Sequence, residues 1–286
     1  MMGADMSSRK SKLCVLGEMG ICASLGWEDF MLHILRNFIR AVTVVGIIFA
    51  GAVLADAKSD YATAVKRIEM AVRSGAKTLD LSELYQLKDI PEDIRRLTEL
   101  NRLNLSYTRI SSLEILRSLP QLEHLVLRAT GLDNEDILPL TSMTGLKSLN
   151  LRQNLLWEIK PLMGLKALIS LDLSSNDLPG IDELEELTQL EELDISFNEI
   201  AFISILLKQN KLRKLSISHM TVDDVDIIGQ FTELEELNIG YSEVVDLSFV
   251  LQLPKLKIFW YEMERVTADK VILGILAARG VRVIPY

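Results

Sequence analysis

From residue 100 onward, leucines open successive copies of one pattern at Leu100, Leu122, Leu146, Leu168, Leu190, Leu212, Leu234 and Leu256, at intervals of 22 residues broken by a single 24. A fixed period of this size means stacked repeats, none of which can bury a core by itself. The copy from Leu168 reads LISLDLSSNDLPGIDELEELTQ and supplies Leu168, Leu171, Leu173, Asn176, Leu178, Ile181, Leu184 and Leu187 as its inward set. Its neighbour matches with Leu193, Ile195, Asn198, Ile200, Ile203 and Leu206. Alternation at Leu171 and Leu173 has the period of a strand, and the later spacing of about three suits a tight helical turn. Each repeat is expected to be one strand, one bend and one short return.

The recurring L-x-x-L-x-L-x-x-N-x-I/L resembles the leucine-rich repeat family, and its spacing is similar to the 22-residue class of bacterial internalins and a nuclear phosphatase regulator. The resemblance spans residues 76–265, about nine repeats counting a degenerate first copy near Ala76. It implies an α/β solenoid: a leucine-rich repeat horseshoe with a parallel concave sheet and short helical turns on the convex side. It also implies a binding protein, with no particular ligand, because one fold hosts many functions.

The asparagine of that pattern is present as Asn154, Asn176 and Asn198, where an inward amide can satisfy backbone groups at the bend. The same slot holds Thr108, Thr130, Met220, Ser242 and Glu264, so the amide ladder is expected only in the middle. Repeat three carries two extra residues within Gly131–Gly145, and Gln209 stands where neighbours have Leu187 and Phe231. Both are candidate bulges on the outer face.

A solenoid needs covers at its open ends. Residues 58–75 place Ala64, Val65, Ile68 and Val72 on one side of a helix, with Ser59 or Asp60 as N-cap and Gly75 as the stop. This is the expected helical N-terminal cap. Residues 266–286 are the expected C-terminal cap, a helix over Thr267–Ala278 followed by an extended Val281–Ile284.

Residues 31–57 read MLHILRNFIRAVTVVGIIFAGAVLADA: Arg36 and Arg40 precede an apolar run, with small-residue cleavage options after Ala55 or Ala57. That is the layout of a signal peptide, and the run is shorter than the roughly 20 residues of a spanning helix. The expected destination is the periplasm or the exterior of a bacterial cell. Residues 1–30 then precede the basic region, which points to translation from Met31 and removes Cys14 and Cys22. A disulfide framework and a cysteine metal site are excluded on that reading. Beyond residue 55 the chain holds 26 Lys and Arg against 36 Asp and Glu, which argues against nucleic acid as the main partner.

With each strand at the opening residues, outward side chains fall at the second, third, fifth, seventh and eighth positions, and equivalent positions stack about 4.8 Å apart on the concave sheet. The eighth-position column reads Glu83, Tyr107, Ala129, Gln153, Ser175, Phe197, His219, Tyr241, Met263. Phe197, His219, Tyr241 and Met263 form a strip of large side chains, with Trp260 in the fifth-position column. Rigid aromatics of this kind carry interface energy, about 2 kcal/mol or more each when a partner buries them. Sideways packing among themselves or beneath the C-terminal cap is the alternative, most of all for Trp260 and Met263.

Charges on this face look segregated. Arg102, Arg128, Lys147 and Arg152 precede Asp172, Glu191, Glu192 and Asp194, an arrangement that would orient a partner. Asp172 and Asp194 in neighbouring rows supply too few oxygens for a metal. His124 and His219 lie four repeat steps apart, roughly 20 Å, and no catalytic grouping or phosphate loop accompanies them. No cofactor is expected. The sequence thus favours an exported, non-enzymatic module binding a protein ligand on its concave face through Phe197, His219, Tyr241, Trp260, Met263, Arg128, Arg152, Asp172 and Asp194. The alternatives are an intracellular or membrane-anchored scaffold and a glycan or cell-wall binder.

Overall fold

A computed structural model describes residues 57–262 and 270–286. The signal segment, Met263, Glu264 and the expected first residues of the C-terminal helix lie outside them. Ten strands form one parallel sheet in sequence order: β1 (Thr78–Asp80), β2 (Arg102–Asn104), β3 (His124–Val126), β4 (Ser148–Asn150), β5 (Ser170–Asp172), β6 (Glu192–Asp194), β7 (Lys214–Ser216), β8 (Glu236–Asn238), β9 (Ile258–Tyr261) and β10 (Arg282–Pro285). Strands β1 to β8 each return through a 3₁₀ turn such as Asp182–Glu186 or Ser204–Lys208. Each turn buries one or two apolar residues against the leucines of the strands, and the core runs unbroken from Ala64 to Val281. This is the leucine-rich repeat solenoid.

The register carries the repeat through in phase: Leu149, Leu171, Leu193, Leu215 and Leu237 are successive partners, all buried. The strands are shorter than the concave face as read from sequence. β1 to β8 occupy only the third to fifth positions, β9 reaches the sixth, and the eighth position is not strand. Glu83, Tyr107, Ala129, Gln153, Ser175, Phe197, His219 and Tyr241 all have left-handed backbone, with φ between 54° and 62°. A non-glycine residue there costs about 1–2 kcal/mol. From Glu83 to His219 the conformation is held because each N–H donates to the seventh-position carbonyl of the next repeat, as Phe197 does to Ser218 at 3.0 Å and His219 to Gly240 at 2.9 Å. The interchain-like ladder therefore continues one bond beyond the strand and turns the chain into the bend.

Helix α1 (Ala57–Ser74) caps the first edge, burying Ala64, Ile68 and Ala71, while Arg67 donates to the carbonyls of Asp80 and Ser82 at 3.1 and 3.3 Å. Because the helix begins at Ala57, Ser59 and Asp60 lie inside its first turn and neither is the N-cap. Buried Asp60 instead accepts from the backbone N–H of Gln86 at 2.8 Å. Gly75, at φ +63°, ends the helix. At the other end α2 (Lys270–Ala278) leads into β10, and Leu276 is its buried contact.

Gln209 is not an exposed bulge. It is fully buried, and its Nε2 donates to the Leu184 carbonyl at 2.7 Å. The side-chain oxygen has no partner. The insertion in repeat three is a surface loop tied to its neighbour: Asn134 Oδ1 accepts from the N–H groups of Trp157 and Glu158 at 3.1 and 3.3 Å.

Candidate binding face

The bend behind the concave face is held by the asparagines. Asn154 Nδ2 donates to Leu127 and Leu151 carbonyls, Asn176 Nδ2 to Leu151 and Leu173, and Asn198 Nδ2 to Leu173 and Ile195, all between 2.8 and 3.1 Å. Their Oδ1 atoms accept from backbone N–H groups of the preceding repeat, Leu132, Leu156 and Leu178. Thr108 and Thr130 keep the bond to the carbonyl three residues back, at 2.7 and 3.0 Å, and Ser242 bonds its equivalent, Ile239. Buried Met220 has no such group.

On this frame the left-handed column presents its aromatics. Phe197 and His219 stack with ring centroids 3.9 Å apart and planes 15° apart. His219 and Tyr241 follow at 4.6 Å. Phe197 and Tyr241 remain 39% and 46% exposed, so mutual packing leaves a large fraction of both rings uncovered. Burial against its neighbours holds the His219 imidazole below its ordinary value.

The row ends on Tyr286, which sequence reading missed. Its ring lies 5.7 Å from that of Tyr241, its hydroxyl accepts from Asn238 Nδ2 at 3.2 Å, and its N–H donates to the Tyr261 carbonyl at 2.9 Å. The pairing of β10 with β9 delivers this terminal residue to the concave side. Trp260, on β9, lines with Tyr286 a trough of about 500 Å³ running over β4 to β9. Met263 lies outside the described residues.

The polar residues divide into two groups. Along the second and third positions, unlike charges alternate and pair: Lys147 with Glu123 at 2.6 Å, Lys214 with Glu192 at 2.9 Å, Lys257 with Glu235 at 2.6 Å, and Arg213 with Glu191 at 3.9 Å. Lys147, Glu191 and Glu192 therefore belong to ladders spanning neighbouring repeats, and the face is not the simple dipole that chain order suggested. The exposed pairs are worth little to stability.

Along the fifth position Asp172 and Asp194 are register partners. Asp172 accepts from Ser174 N–H and hydroxyl at 3.0 and 2.6 Å and from Asn150 Nδ2 at 2.8 Å. Asp194 accepts from Ser196 N–H at 3.0 Å. Burial raises the Asp194 carboxyl above its usual range, partly offset by Ser196, and the Asp172 charge adds to the rise. Arg152 reaches Ser174 at 3.3 Å with its Nε buried and unpartnered. Arg128 lies over the Tyr107 ring at 5.3 Å and donates to Gln153 at 2.9 Å, two repeats or more from Phe197. Among the described residues, no cluster of three or more His, Cys, Asp and Glu is placed to hold a metal.

Comparison with known proteins agrees with the fold. Residues 144–200 match the family model for Leucine rich repeat. Internalin C2 of Listeria monocytogenes is similar in structure, with TM-score 0.63 and 24% identity, over 68% of this chain and 91% of that one. A leucine-rich repeat protein of Leptospira interrogans matches with TM-score 0.57 and 25% identity over 68% of this chain, which spans 51% of that protein's length. The leucine-rich repeat domain of APL1B gives TM-score 0.54 at 16% identity, covering 70% and 68% of the two chains. No curated protein matches by sequence. The fold is one typical of protein-interaction modules, and none of these matches brings in a catalytic family.

Proposed function

We propose that this chain is an exported, non-enzymatic bacterial protein that binds a protein ligand on its concave face. The observation that carries the reading is the stack Phe197–His219–Tyr241, held on a left-handed backbone column and left substantially exposed. A rigid row of aromatics loses little side-chain entropy on binding and offers the residue types that dominate interface energy. Export is supported by the basic, apolar and small-residue order of residues 31–57. Cleavage after Ala55 leaves α1 whole, because that helix begins at Ala57.

The test is differential capture from envelope and culture-supernatant fractions. Phe197→Ala/His219→Ala/Tyr241→Ala should fold and lose the captured protein, whereas Phe202→Ala, an exposed aromatic outside the column, should retain it. Equal capture by the two variants would remove the reading. Retention on purified cell-wall material instead would favour a glycan ligand stacked on Trp260 and Tyr286.

A further inference from the structure

We infer that the trough over β5 to β9 receives an arginine-bearing extended segment of the protein partner, with the guanidinium at Asp172 and Asp194. This rests on the concave-face reading above and gives the partner a chemistry. Four carboxylates line the trough, those of Asp172, Asp194, Glu192 and Glu236, against one ammonium, Lys214. Lys214 is engaged by Glu192 at 2.9 Å and lies 3.9 Å from Glu236. Asp172 and Asp194 have no Lys or Arg at ion-pair distance among the described residues. Arg152, whose charge acts on Asp194 from a distance, places a hydrogen bond on Ser174. The floor is thus a pair of like charges side by side, one of them half-buried and bonded only by Ser196. An incoming cation relieves that repulsion, so charge complementarity selects a basic partner.

Arginine is preferred to lysine on geometry. A planar guanidinium can bridge two neighbouring carboxylates and stack on aromatic faces. The trough ends on Trp260 and Tyr286, which offer aromatic faces for such stacking. The size fits a few side chains of an extended peptide.

The experiment measures fluorescence anisotropy of the purified chain with a labelled Gly/Ser-spaced arginine peptide and its citrulline counterpart, which keeps the shape and removes the charge. The arginine peptide should bind at least about tenfold more tightly. Asp172→Asn/Asp194→Asn should abolish that preference while keeping the oxygens that accept from Ser174 and Ser196, with folding verified by circular dichroism. Glu114→Gln, on a 3₁₀ turn away from the trough, should bind as the parent does. Equal binding of the two peptides, or undiminished binding by the double Asn variant, overturns the inference. So does spermidine binding with the same dependence on both aspartates, which would assign the trough to a free polyamine. If the Phe197/His219/Tyr241 alanine variant loses its partner while the double Asn variant keeps it, the concave-face reading stands and the arginine site falls.

Discussion

The ring of Tyr286 occupies the space above Gly240: a Cβ built on Gly240 would stand 2.2 Å from Tyr286 Cδ2. Gly240 is the seventh residue of its repeat, where every preceding repeat carries Ser or Arg. Its missing side chain lets a terminal residue close the aromatic row.

Gly240→Ala should therefore expel the Tyr286 ring without unfolding the solenoid, since a side chain exposed to this extent can swing into solvent. The expected change in stability is below about 1 kcal/mol, because only a partly exposed ring contact is lost. Nuclear Overhauser contacts between Tyr286 and Tyr241 should disappear. Their persistence would contradict the packing described.

Asn176→Ala should cost about 2 kcal/mol in urea unfolding, because it leaves the buried Leu156 N–H without its acceptor and takes one of two amide bonds from the Leu151 and Leu173 carbonyls, which Asn154 and Asn198 still serve. Asn176→Thr should cost less, since a hydroxyl in this slot keeps one carbonyl bond, as at Thr108 and Thr130. Equal costs for the two would show that the amide ladder is not what holds the bend.

Gln209→Leu should stabilise by about 1 kcal/mol by removing a buried oxygen that has no partner. The Leu184 carbonyl that loses the Nε2 bond still accepts from the Leu187 N–H at 3.0 Å. A rise of about 2–4 °C in Tm is expected for a domain of this size. A fall would mean that the amide is satisfied.

Two groups give stability opposite dependences on pH. The folded His219 imidazole is depressed by burial, so its contribution is present above its ordinary value of 6.5 and is lost as pH falls towards the folded value. The Asp194 carboxyl is raised, so its contribution is full below the ordinary 3.8 and is lost as pH rises through the folded value. His219→Gln should flatten the decline on the acid side of pH 6.5, and Asp194→Asn should stabilise at neutral pH but not in strong acid. Urea midpoints across pH give both answers.

The 22-residue period made the strand order, the parallel register and the inward leucines legible, because every copy repeats the same core constraint. The left-handed eighth position was not read, because it arises from a bond to the next repeat. Its trace in the sequence is compositional: no β-branched residue stands at that position from Glu83 to Tyr241. Ser175→Val should thus destabilise the fold beyond what serine already bears at left-handed φ, although Ser175 is only half-buried. The charge ladders were visible as alternation down one column, Glu191, Arg213, Glu235, Lys257, and were obscured by reading charges in chain order. Tyr286 left no signal, since the register of β10 brings it to Tyr241 across a separation that no repeat spans.

The most direct measurement places a photo-crosslinking benzoyl-phenylalanine at position 197 in one protein and at position 202 in another, each irradiated with the captured partner. The concave-face account predicts a covalent adduct from position 197 and none from position 202. Adduct from position 202 alone would put the partner on another face and contradict it.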